Sequence, residues 1–136
     1  MSERQHVKMP ASQGLFDQLG IVEAVRVGNT VTVSGQVGWD EKLEPAVGLE
    51  AQARQAFRNL KAVLAKAGAR PEHVTHLFLL FVDPGQGTSL GDDAAVVFEA
   101  KNEVMPECRP AATGCRVAGL IHPDLLLEVH ATAVID

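Results

Sequence analysis

The chain has no tyrosine, one tryptophan and five phenylalanines, so aliphatic side chains, chiefly Ala, Val and Leu, must fill its core. Cysteine is scarce too. Cys108 and Cys115 are the only two, their spacing fits no usual zinc pattern, and both flank or lie on one predicted strand, where a disulfide between them is not expected. That usage suits a reduced, cytoplasmic protein. Basic residues are in deficit, 12 Lys and Arg against 17 Asp and Glu, for a net charge of −5. Phosphate backbones need a basic patch to neutralise them, and the sequence shows no such cluster, so no nucleic-acid partner is expected. No apolar run approaches the roughly 20 residues that span a bilayer, and MSERQHVKMP has no signal-peptide core. No membrane partner is expected.

What is present reads as one domain over residues 1–136, with 1–11 a mobile N-terminal arm and 12–19 irregular. IVEAVRVGNTVTVSGQ (21–36) is a predicted hairpin, two alternating β-branched runs joined at Gly28-Asn29. Residues 49–67 form the clearest helix: Leu49, Ala53, Ala56, Leu60, Val63, Leu64 and Ala67 recur at helical spacing, and Gly68 ends the run. HLFLLFV (76–82) is continuous enough to predict a central buried strand. A second helix is expected at about 92–105, opening on Asp92-Asp93, with Ala94, Val97, Phe98 and Met105 as its apolar stripe. Strands near 111–118 and 125–135 close the chain. The order β-β-α-β-α-β-β predicts an α+β layer pair, a mixed sheet with both helices on one face. The other face is left to meet water or another subunit, and oligomerisation through it is the expectation.

The last strand carries the chemistry. In LLLEVHATAVID, alternation puts Leu127, Val129, Ala131 and Ala133 on one face and Glu128, His130 and Thr132 on the other. In PAATGCRVAGL the same rule groups Ala112, Gly114 and Arg116 against Thr113, Cys115 and Val117. If the two strands pair, Arg116 shares the polar face of Glu128 and His130, while Cys115 packs in the core. Other stretches argue for little. The glycines of DPGQGTSLGDD miss the dinucleotide spacing and run into two aspartates, so the loop is no phosphate cradle. His73 and His76 on a strand do not aim both rings at one metal, and no metal site is expected. Ser34 lacks the elbow of a serine hydrolase.

VTVSGQ (31–36), AQARQAFRNLKAVLAKAG (51–68), FVD (81–83), RPAATGCRVAGL (109–120) and LEVHATAVI (127–135), in that order, resemble the Rid family, the YjgF-type reactive intermediate deaminases, over about residues 12–135. The resemblance implies a chorismate-mutase-like fold assembled as a homotrimer with sheets facing inward. It also implies ligand clefts between subunits, an imine, enamine or oxo-acid-like ligand, hydrolysis to oxo compounds and ammonia, and no cofactor. It places the water-positioning glutamate at Glu128, with His130 at the family's second acid. Ser34 and Gly35 would contact substrate, and Phe16 would stand where the family has an aromatic.

Two departures mark a divergent subgroup. The family's carboxylate-binding arginine falls on Ala112, and its substrate-contacting asparagine on Ala95. Alanine cannot replace a bidentate clamp. Arg109, just before the strand, and Arg116, four residues on from Ala112 and roughly 13 Å along it, are the candidate substrate-binding cations, the second for a larger ligand or for none. An imine hydrolase with an altered carboxylate site and a non-catalytic binding or regulatory trimer both follow.

Overall fold

The computed structural model describes residues 3–136. Ten elements follow the chain: β1 (Arg4–Val7), α1 (Gln13–Leu19), β2 (Ala24–Val27), β3 (Thr30–Val37), α2 (Leu49–Lys66), a 3-10 turn (Pro71–His73), β4 (Val74–Val82), α3 (Leu90–Val104), β5 (Ala111–Val117) and β6 (Leu127–Val134). The expected β-β-α-β-α-β-β order is present as β2 to β6, preceded by β1 and α1.

That preceding pair is a correction. RQHV, in the stretch expected as an arm, is a strand because it pairs antiparallel with β2, Arg4 opposite Val27 and Val7 opposite Ala24. The segment expected to be irregular holds the two turns of α1, closed by Gly20 in the left-handed region at φ 72. Residues 1 and 2 of the expected arm lie outside the described residues.

The β2–β3 hairpin turns at Gly28, whose φ of 60 suits a glycine. The strands form one sheet in the order β1-β2-β3-β6-β4-β5. Every pairing is antiparallel except β4 with β5, so the sheet is mixed. The helical periodicity of α2 holds: Ala53, Ala56, Phe57, Leu60, Val63 and Leu64 are buried, in one core with Leu77, Leu79 and Phe81 of β4 and Leu127 and Val129 of β6. Full burial of each large apolar side chain contributes about 1.5–3 kcal/mol. Gly68 then takes φ 84 just past the helix end.

Helix α3 begins two residues before the acidic pair, because Ser89 caps it: the Ser89 hydroxyl accepts the Asp92 N–H at 3.0 Å, and Asp92 returns the bond to the Ser89 N–H at 3.1 Å. Gln52 links α2 to the sheet. Its amide donates to Ala46 O and Asp124 O, and its carbonyl accepts the Leu126 N–H at the entry to β6.

HLFLLFV is not buried on both sides within the chain. Leu77, Leu79 and Phe81 are buried, while His76, Phe78, Leu80 and Val82 are only half-buried on the face the helices leave open. Among the described residues no helix is long and apolar enough to cross a membrane.

Candidate functional site

Glu128 and His130 share the open face as alternation requires, because β6 buries Leu127, Val129, Ala131 and Ala133 toward the core. They meet. His130 Nε2 lies 2.6 Å from Glu128 Oε2. The side chains are 21% exposed for Glu128 and 44% for His130, so the pair is partly desolvated and still reachable. The bond to Glu128 raises the His130 pKa above its ordinary value, while burial pulls it down and the glutamate charge adds a further lift. Phe78, opposite His130 in the β4–β6 ladder, holds the ring from one side, centroids 6.2 Å apart and planes tilted by 58°.

The carboxylate is seated by a break in β3. The β3–β6 register shifts between Val33 and Gln36, an extra-residue bulge of the kind that re-aims a strand. It brings Gly35 under Glu128, where a Cβ on residue 35 would fall 2.5 Å from the carboxyl carbon. The bulge is itself braced. The Ser34 hydroxyl donates to Val22 O at 2.5 Å. Gln36 donates to Ser34 O at 3.1 Å and to Glu23 Oε2 at 2.6 Å, and Ser12 donates to Glu23 Oε1 at 2.5 Å. Ser12, Glu23 and Gln36 are all buried. Sequence reasoning missed Glu23, although an acid inside the apolar run IVEAV is the signal that singled out Glu128.

The other expected site residues lie elsewhere. Arg116 does not share the face of Glu128. Strand β5 pairs with β4, in parallel, and β6 lies between β3 and β4. Arg116 is opposite Phe81, on the helix side, where its guanidinium meets the Asp93 carboxylate at 2.8 Å and Thr88 O at 3.3 Å. By the same register Cys115 sits opposite Leu80, which also faces Glu128, so the thiol is half-buried on the open face and not in the core. Arg109 is exposed in the turn before β5. Phe16 is buried on α1, packed within the chain. The structure therefore joins Glu128, His130 and Gly35 with Ser34 behind them, and leaves Arg109, Arg116 and Phe16 apart.

Among the described residues no group of three or more His, Cys, Asp and Glu side chains is placed to hold a metal. A carboxylate hydrogen-bonded to a titrating imidazole can take a proton from water and deliver one to a nearby basic atom.

Residues 18–135 match the family described as endoribonuclease L-PSP. A RutC family protein of Haemophilus influenzae is 32% identical over 134 residues, covering 93% of this chain and 92% of its own. The 2-iminobutanoate/2-iminopropanoate deaminase of Mus musculus is 31% identical over 129 residues, covering 93% and 86%. Among solved structures, Rv2704 of Mycobacterium tuberculosis, described as a member of the YjgF/YER057c/UK114 family, superposes with a TM-score of 0.80 at 26% identity, covering 98% of this chain and all of that one. With nearly its whole length matched in sequence and in fold, the chain belongs to the endoribonuclease L-PSP family, the YjgF-type Rid proteins.

Proposed function

We propose that the protein hydrolyses reactive imines or enamines to oxo compounds and ammonia, without a cofactor, in a cleft completed when the open sheet faces of three copies meet. The observation that carries this reading is the Glu128–His130 pair, a carboxylate with a hydrogen-bonded imidazole whose pKa is raised. Glu128 orients a water and accepts its proton as the oxygen adds to the imine carbon. The nitrogen, protonated through His130, then leaves as ammonia while the carbinolamine hydroxyl gives up its proton and becomes the carbonyl. One water is consumed for each C=N bond broken. Positioned proton transfer of this kind is worth about 10²–10⁴-fold in rate. Membership of a family with deaminase-named relatives supports the reading.

The test supplies purified protein with enzymatically generated imines, both amino-acid-derived and uncharged, and follows semicarbazone formation in competition. Faster loss of imine is expected, with Glu128→Gln slowing it by about 100-fold or more. No acceleration on either class overturns the proposal.

A second reading, a non-catalytic trimer that binds a metabolite or serves regulation through the same cleft, is favoured by Ala112 and Ala95 at the places where the resemblance puts Arg and Asn. A thermal-shift screen with 2-oxo acids and small aromatics tests it. Loss of a measured turnover in Glu128→Gln rules it out.

A further inference from the structure

A cavity of about 310 Å3 opens between the first turns of α3 and the edge strand β5. Leu90, Ala94 and Phe98 of α3 form one wall, and Ala112 and Gly114 of β5 form the rim. Its floor is Leu79 and Phe81 of β4, reached because residue 114 has no side chain: a Cβ there would come within 3.2 Å of the Phe81 ring and 3.3 Å of Leu79 O. The volume sits at the lower end of small-molecule sites.

Two properties restrict what fits. No ionisable side chain lines the cavity. The cation on the same face of β5, Arg116, is already held by Asp93 and Thr88, so an anion entering here would lose water and gain no countercharge. The polar groups on offer belong to the backbone. β5 ends the sheet, and among the described residues its outward N–H and C=O groups have no backbone partner. Such an edge suits a single neutral carbonyl or imine.

The cavity lies on the helix side of the sheet, across from Glu128 and His130, and meets their face only at the β5 edge. Thr113, at the rim, lies opposite Phe78, and Phe78 lies opposite His130. Two strand spacings, roughly 10 Å, separate the backbones of Thr113 and His130, so a ligand seated in the cavity reaches the pair only by passing over the β5 edge.

The geometry points to this cavity as a binding site for the uncharged, apolar body of a small carbonyl or imine compound, with neutral imines that carry no carboxylate as its ligand class. As a statement about substrate this rests on the hydrolytic reading above; as a statement about binding it stands alone.

A matched pair of ligands tests it: 4-methylpentan-2-one, and 4-methyl-2-oxopentanoate, which has a carboxylate in place of one methyl. Each is titrated into the full-length ¹⁵N-labelled chain. The ketone is expected to shift the amide signals of residues 91–98 and 112–114 saturably, and the oxo acid to bind at least tenfold more weakly. Ala94→Leu and Gly114→Val, which fill the cavity from opposite sides, should each weaken the ketone at least tenfold. Ala112→Arg should reverse the order of the two ligands. Equal or tighter binding of the oxo acid by the unaltered chain overturns the inference, and so does a ketone that leaves these amides unmoved. Ketone binding without turnover of any imine removes the hydrolytic reading and keeps the site. Turnover of amino-acid-derived imines without ketone binding does the reverse.

Discussion

Gly35 and Glu128 occupy a space that admits only one of them with a side chain at full length. An alanine Cβ at 35 would stand 2.5 Å from the Glu128 carboxyl carbon and from its Oε2. Gly35 is not among the residues with positive φ, so the backbone tolerates alanine, and the group that must give way is the end of a flexible side chain. Gly35→Ala should therefore cost the fold at most about 1 kcal/mol while pushing Glu128 off His130. Histidine NMR titration should show the His130 pKa falling toward its ordinary value, and hydrolytic activity should fall with it. An unchanged titration would mean that the glycine does not set the carboxylate.

The bond from Glu128 raises the His130 pKa, which fixes the sign of its effect on stability. A group whose pKa is higher folded than unfolded stabilises in full below the unfolded value, here the ordinary imidazole value of about 6.5, and loses that stabilisation as pH rises through the folded one. The stability gap between the unaltered protein and His130→Asn should be larger at pH 6 than at pH 9 by urea unfolding. With His130 44% exposed, the difference should stay below about 1 kcal/mol. A gap that widens with pH contradicts the assignment.

Glu23 braces the bulge from within the chain. It accepts from Ser12 and from Gln36, and all three are buried. In Glu23→Leu both acceptor oxygens are lost, leaving the Ser12 hydroxyl and one Gln36 N–H buried without the partner they had. The expected cost is about 1–3 kcal/mol, the penalty for an unsatisfied buried polar group. Chemical denaturation reads it directly. A shift in the His130 titration in the same variant would show that the bulge relays the change to Glu128.

How legible these features were in the sequence depended on whether a rule of local geometry sufficed. Alternation in LEVHATAV put Glu128 and His130 on one face with no other information, and helical spacing delimited α2 to within a residue. Both patterns repeat along a single element. Strand β1 was missed because RQHV has little strand character of its own, and its partner β2 makes it a strand. Arg116 was misplaced for a similar reason. Alternation puts it on the face of Glu128 only if β5 pairs with β6, whereas β5 runs parallel beside β4, a long-range choice that no periodicity records. The acid pair at 92–93 marks a helix start in the sequence, and in the structure the two side chains diverge. Asp92 closes the cap on Ser89, and Asp93 is buried against Arg116.

That burial makes Asp93 structural. Its carboxylate accepts the Thr88 hydroxyl at 2.8 Å and meets Arg116 at 2.8 Å, with the arginine side chain 29% exposed. Asp93→Ala strands a half-covered guanidinium and should lower stability by about 1.5–3 kcal/mol, the scale of a lost hydrogen bond to a charged group. Asp93→Asn keeps the contact with Thr88 and should lose less. If Arg116 instead served the ligand, Arg116→Met would abolish binding and leave stability unchanged. The opposite result is expected: a loss of stability of similar size, measured by guanidinium unfolding.

Phe78 stands on the open face between His130 and Thr113, half-buried within one chain. An apolar ring there gains full burial only if another copy covers it, at about 1.5–3 kcal/mol per ring if burial became complete. A carboxylate in its place would be driven toward water and would repel its equivalents around a shared axis. Phe78→Glu should therefore convert a species with the mass of three chains into one with the mass of a single chain in light scattering. Circular dichroism of the variant should show that it stays folded, since the helix side of the sheet is untouched. A single-chain mass for the unaltered protein would refute the shared face outright, and with it a cleft that depends on neighbouring copies.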